Sequence, residues 1–382
     1  YIATETFFSD GYFDSPQNFR RLNLFGKYSA LIDDEQRVSF SASAFQSSWN
    51  ASGQVPERAV NSGLIGPFGA IDDNEGGITS RYNFNFEHVK NLKGNALFKN
   101  QVYYTDYAFE LYSNFTFFLN EPEKGDEIRQ KEHRRIFGYN GAIQREGLLA
   151  GKRLSTEAGL FLRNDDVNDV ELSRTQQRRT TQYPIALGDV NETNAGVYGS
   201  ASWGIAPRLT LNAGARFDLF RFSYENKLDS LFEPGQVSAS VFSPKLNLYY
   251  DLNKTLRLYL NSGYGFHSND ARVVVPQEGR KILPKALGVD LGAIFKPSPA
   301  LLVNIAGWYL ALDQEFVYVG DEGVVEPGGK TRRLGLDISA RFQVLRYLFA
   351  DADVTWSHAR SVEEPEGARY IPLAPQWTGT GG

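Results

Sequence analysis

The run Leu209-Thr-Leu-Asn-Ala-Gly-Ala-Arg-Phe-Asp218 decides the fold. Leu209, Leu211, Ala213, Ala215 and Phe217 take alternate places, and Thr210, Asn212, Gly214, Arg216 and Asp218 take the places between. Successive side chains of a strand point to opposite faces, so this run has one apolar wall and one polar wall. The pattern recurs along the chain. Val38, Phe40, Ala42 and Ala44 alternate with serines, and Tyr82, Phe84 and Phe86 alternate with Asn83, Asn85 and Glu87. Leu256, Leu258 and Leu260 oppose Arg257, Tyr259 and Asn261, and Leu334, Leu336, Ile338, Ala340 and Phe342 oppose Gly335, Asp337, Ser339 and Arg341. Leu348, Ala350, Ala352, Val354 and Trp356 oppose Asp351, Asp353 and Thr355. No apolar pattern of helical period lasts beyond a turn or two.

A soluble sandwich also alternates. Segment length separates the two cases. These runs reach roughly 10–15 residues, longer than the usual strand and long enough to cross a bilayer with the roughly 9–11 that a tilted strand needs. Aromatic residues gather near the segment ends: Trp203, Tyr249, Tyr250, Phe295 and Phe342 at one set, and Phe222, Tyr224, Tyr264, Phe266, Phe316, Tyr318 and Trp356 at the other. Two girdles at two water interfaces would have this distribution.

Connections alternate in length. Short ones lie near 33–36, 90–94, 147–152, 205–207, 251–254, 296–299 and 343–346. Long ones run over about 50–77, 114–133, 164–192, 226–236, 269–283, 320–330 and 358–370. Tight turns at one end and long loops at the other describe an up-and-down outer-membrane barrel, with the short side periplasmic. The sequence therefore predicts an all-β, transmembrane antiparallel barrel of about fourteen complete strands, with partial strands at 1–8 and 372–382, forming one domain over residues 1–382.

Composition narrows the function. Forty Lys and Arg against 45 Asp and Glu give a net charge of −5, which disfavours a nucleic-acid partner. With no cysteine, thiolate zinc sites, disulfides and cysteine nucleophiles are excluded. There is also no Met, and the reading expects a processed or truncated product with strands missing at both ends. The four histidines, His88, His133, His267 and His358, match no metal-ligand spacing. Gly263-Tyr-Gly-Phe266 sits in a strand pattern with no helix after it, so it is no phosphate loop. No serine–histidine–acid set is legible, and an enzyme is not expected.

Several segments resemble TonB-dependent outer-membrane receptors. Gly53-Gln-Val-Pro-Glu-Arg-Ala59, Gly66-Pro-Phe-Gly-Ala-Ile-Asp72 and Glu75-Gly-Gly77 look like that family's first long barrel loop. Gly263-Tyr-Gly-Phe-His-Ser-Asn-Asp-Ala-Arg272 looks like a strand end and the loop after it, and Leu283-Pro-Lys-Ala286 with Gly288-Val-Asp-Leu-Gly292 resembles the next strand. The resemblance implies a 22-stranded barrel, of which about 14–16 strands fall within this sequence. It also implies a plug domain, which no residue here supplies. The implied function is import of a scarce nutrient, such as a ferric siderophore or metal complex, across the bacterial outer membrane, driven through TonB, ExbB and ExbD. A passive porin is the alternative; a soluble all-β binding module and an outer-membrane hydrolase are weaker readings.

Candidate ligand contacts are Glu57 and Arg58 in the first long loop, and His267, Asp270 and Arg272 in the later one. Arginine can grip a carboxylate or chelate through two hydrogen bonds. Each of these residues could equally fold its loop. No resident cofactor is expected, although Asp72-Asp-Asn-Glu75, and more weakly Asn164–Asp169, offer oxygens for a loop calcium. Arg134-Arg135 and Arg178-Arg179 border long loops and could meet lipopolysaccharide phosphates. Charges on the polar wall, such as Arg216, Asp218, Arg257 and Arg341, are expected to pair with one another.

Overall fold

The computed structural model describes residues 1–229, 234–276, 282–319, 324–371 and 374–382. Sixteen antiparallel strands form one sheet in which every neighbour in space is also the next sheet strand along the chain. The first half comprises β1 (Ile2–Ser9), β2 (Phe19–Asp33), β3 (Gln36–Asn50), β4 (Gly76–Leu92), β5 (Ala96–Ser113), β6 (Ile128–Leu149), β7 (Lys152–Gln176), β8 (Thr180–Ala206) and β9 (Leu209–Asn226). The second comprises β10 (Gly235–Asp251), β11 (Leu256–Phe266), β12 (Lys285–Ser298), β13 (Leu301–Leu312), β16 (Thr331–Leu345), β17 (Leu348–Ser361) and β18 (Trp377–Gly381). A separate hairpin, β14 (Glu315–Val319) with β15 (Val324–Gly328), extends the β13–β16 connection. Two short helices, α1 (Glu57–Asn61) and α2 (Ala271–Val274), lie in long loops. No helix among the described residues is long and apolar enough to cross a membrane.

Register turns the alternation into two walls. Phe217 pairs with Phe242 and Val197, and these three are 40%, 56% and 57% exposed. Their neighbour Asp218 is fully buried and is held by Arg216 at 2.6 Å. Large apolar side chains left open all along one face suit lipid, where they need no protein cover. The polar wall is cross-linked as its charges suggest: Arg216–Asp218, Arg257–Asp251 and Arg341–Asp353 are ion pairs at 2.6, 2.6 and 2.8 Å. Aromatic residues on that wall lie over glycines directly across the ladder, as in Tyr103 over Gly138, Tyr198 over Gly159 and Tyr259 over Gly292, where an added Cβ would overlap the ring.

All seven expected tight turns are present. Two other expectations are not met, one for a long connection and one for the girdles. Residues 164–192 are not a loop: β7 and β8 run 25 and 27 residues and meet in a turn at 177–179. Asp, Asn and Glu suggested a loop there, yet on a ribbon standing clear of lipid both faces meet water, so polar residues are tolerated on either. The second difference is one of parity. Phe222 and Tyr224 share the face of Asp218 and are buried inside, so they do not join an outer girdle. A one-residue shift moves a side chain to the opposite face, and proximity to a strand end cannot reveal it. Tyr249 likewise pairs with Thr210 on the polar wall. The outward Phe295, Phe342 and Tyr264 remain open, as a girdle requires. The side chains of Phe316 and Tyr318 lie outside those described.

Candidate binding site at the barrel mouth

Above the apolar band the outer row changes character. Leu219 gives way to Arg221, which pairs with Thr193, which pairs in turn with Asn164. At this height the inner wall carries Arg163 and Asp165 from β7, Glu192 and Asn194 from β8, Phe220 from β9 and Glu132 and Arg134 from β6. The loop after β11 folds against them. Asp270 caps α2 by accepting the Arg272 N–H at 2.9 Å, and the Arg272 guanidinium returns to the same carboxylate at 2.5 Å. Ala271, Val274, Val275 and Ile282 pack on Phe220, Phe222 and Tyr224. Phe220 stacks on Phe222 with centroids 5.6 Å apart and meets Phe266 edge-on at 5.7 Å. Burying such side chains is worth about 1.5–3 kcal/mol each, which anchors the loop to the wall.

Wall and loop enclose a cavity of about 460 Å³. Val167, Val170, Val190 and Phe220 give it an apolar side. Its charges are mostly paired two residues apart: Arg163 with Asp165 at 2.6 Å, Arg272 with Asp270, and Arg134 with Glu132 at 3.2 Å. Glu192 has no such partner. Burial, aided by the negative charge of Asp165, pushes its carboxyl up to about 7 despite the nearby Arg163 and Arg134. Burial also pushes Asp270 up, but the hydrogen bond and charge of Arg272 outweigh it and hold that carboxyl below its usual range. Lower down, a void of about 710 Å³ lined by Tyr103, Glu157, Tyr198 and Arg216 is the lumen itself.

A second polar centre ties the tip of the β7–β8 ribbon to residues 74–75 and Glu127 of the neighbouring loops. Gln177 and Arg178, at the β7–β8 tip, both have positive φ (53° and 56°), a strained backbone for residues with side chains. Arg178 donates to the carbonyl oxygens of Asn74 and Glu75 and to Asn50 Oδ1 at 3.1 Å, and its backbone N–H donates to Glu127 Oε1 at 2.9 Å. Its guanidinium also lies over the Tyr112 ring. Glu75, only 5% exposed, is pushed up to about 7 by burial, with Asp72 and Glu127 adding to the shift. Glu127 is raised for the same leading reason.

The structure thus places Asp270 and Arg272 in the cavity, beside Arg134. His267 lies at the loop's base, its N–H reaching the Pro284 carbonyl oxygen at 3.4 Å, and does not line the cavity. Glu57 and Arg58 are exposed on α1, in a different loop. Of the acidic stretch 72–75, Asp72 accepts from Asn74 and Asn114 and Asp73 from Ser15. No group of three or more His, Asp or Glu side chains suited to a metal ion occurs among the described residues. Arg135 faces Asp106 at 3.8 Å and Arg178 binds other loops. Sequence reading missed Glu192, Arg163 and Phe220 as parts of one site. The available signal was opposite charge two residues apart, which puts both partners on one face of a strand: Glu132/Arg134, Arg163/Asp165 and Arg216/Asp218.

Comparison with known proteins agrees with this architecture. The family model described as TonB dependent receptor-like, beta-barrel matches residues 8–382. No curated protein matches the chain by sequence. Among solved structures, the unliganded ferric citrate transporter FecA superposes with a TM-score of 0.79 at 16% identity, covering 95% of this chain and 55% of that one. The ferric yersiniabactin uptake receptor FyuA from Yersinia pestis gives 0.76 at 12%, covering 100% and 59%. The copper transporter OprC gives 0.71 at 14%, covering 100% and 58%. The chain thus spans a little over half the length of these structures.

Proposed function

Because the chain belongs to the TonB-dependent receptor-like β-barrel family, we propose that it forms part of the wall of an energy-coupled transporter in a bacterial outer membrane. Its cargo is a scarce small nutrient, such as a siderophore or another metal complex. Structures of like fold carry ferric citrate, ferric yersiniabactin or copper in their names. One observation carries the reading beyond family membership: a mouth-level cavity of about 460 Å³, closed on one side by a loop and lined by charged groups, above a band whose outer face is apolar. Pockets of that size suit small ligands.

Asp270 and Arg272 are proposed ligand-facing residues, since they form the loop side of the cavity. Uptake would draw on TonB and its inner-membrane partners, and the apolar band would face lipid. The test is growth and radiolabelled uptake under iron, copper or cobalamin limitation, in cells with and without the gene and with and without TonB. Uptake that requires both supports the proposal. Uptake that requires the gene but persists without TonB would mark a passive pore and defeat it.

A further inference from the structure

We infer that the mouth cavity selects a ligand with a cationic head, an organic ammonium or amidinium, joined to an apolar body, and that Glu192 is the residue that selects it. The inference rests on the transporter reading for its biological setting. Its argument is one of charge and shape.

Four carboxylates and three guanidiniums line the cavity. Arg163 is engaged by Asp165, Arg272 by Asp270 and Arg134 by Glu132, each within 3.2 Å. An anionic ligand would therefore meet guanidiniums each already engaged by a carboxylate, in a lining where carboxylates outnumber guanidiniums by one. Glu192 is the carboxylate left over. It extends from β8 between Arg163 and Asp165 of β7, Glu132 and Arg134 of β6, and Asp270 and Arg272 of the docked loop. Their nearby positive charges do not offset its burial and the charge of Asp165, so it holds its proton up to about pH 7. A cation entering the cavity supplies the missing partner, and charge-assisted hydrogen bonds are about twice as strong as neutral ones. The rest of the lining sets the remainder of the ligand. Val167, Val170, Val190 and Phe220 offer an apolar side, and Phe220 presents an aromatic ring. Arg134 Nε is buried without an acceptor, so a ligand hydroxyl or carbonyl oxygen would find a donor there.

The test uses three probes of one size: 2-phenylethylammonium, 2-phenylethanol and 3-phenylpropionate. Each is titrated calorimetrically into the detergent-solubilised protein. We expect the ammonium to bind at least about tenfold tighter than the alcohol, which corresponds to about 1.4 kcal/mol. Glu192→Gln should bring the two within about threefold while leaving the alcohol's affinity unchanged. Equal or tighter binding of the phenylpropionate, or a preference that survives Glu192→Gln, overturns the inference. Should that variant fail to fold, the unaltered protein decides. Its affinity for the ammonium should rise severalfold between about pH 6 and about pH 8 as Glu192 loses its proton, with the alcohol's affinity flat. A flat ammonium profile overturns the inference. Binding in detergent needs no energy coupling, so a failure here leaves the transporter reading standing, whereas uptake that persists without TonB defeats that reading alone.

Discussion

Glu75 and Glu192 are carboxyls of the same barrel mouth, and burial pushes both up to about 7. Their surroundings differ. Glu75 lies against Gly53 in a junction where the Arg178 guanidinium meets backbone carbonyl oxygens and Asn50. Little room is left for another molecule. Glu192 faces a half-open cavity with its neighbours paired among themselves. A raised carboxyl alone therefore does not locate a site. The void in front of it, and the prior commitment of every nearby cation, separate a loop fastener from a ligand contact.

The largest expected effect falls on the Arg178 junction. Arg178→Ala removes the guanidinium's bonds to the Asn74 and Glu75 carbonyl oxygens and to Asn50 and leaves those acceptors unsatisfied, which costs about 3–5 kcal/mol. Limited proteolysis or hydrogen exchange should show residues 51–75 and 114–127 opening while probe binding at Glu192 persists. If both regions loosen together, they are not independent. Phe222→Ala comes next, at about 3 kcal/mol, because it empties the seat of α2. Exchange should rise at 271–275, and binding in the cavity should weaken, since the loop forms one of its sides.

A smaller effect separates the two carboxyls by pH. Each has a folded-state pKa above its ordinary value, so the folded protein holds more protons between about 4.5 and about 7. Stability then falls as pH rises through that window and levels off above it. Glu75→Gln should remove part of the fall at the loop junction, about 2 kcal/mol by pH 8, with Glu127 supplying the remainder. A pH series of loop proteolysis reads this directly. Smallest is the effect of Glu192→Gln on stability, about 1–2 kcal/mol at pH 8 in thermal denaturation, because its side chain is less completely covered than that of Glu75 and its charge is screened accordingly. A large stabilisation would mean that Glu192 is as tightly enclosed as Glu75.

Much of this was legible in the sequence because lipid imposes a simple rule. Leu209–Asp218 shows which face is apolar, and tight turns such as those at 34–35 and 207–208 fix the hairpins. The rule weakens above the bilayer, where water touches both faces. There Asn164–Asp169 reads as loop while forming strand, and Phe222 and Tyr224 read as girdle while forming the seat of a loop. The cavity was half visible. Asp270 and Arg272 stand two apart in a recognisable segment, but Glu192 becomes notable only once β7, β8 and the docked loop are brought together. Three-dimensional pairing decides which charge is left over, and no spacing along one strand encodes that.

The ribbon of β7 and β8 carries both centres, with Glu192 and Asp165 near its base and Arg178 at its tip. The span between them is roughly twelve residues, or about 40 Å of extended chain. Such an arm magnifies tilt: a lean of about 5° at the base sweeps the tip through about 3 Å, as much as the length of one hydrogen bond. A small lean of the ribbon is thus enough to part the Arg178 guanidinium from the carbonyl oxygens of Asn74 and Glu75.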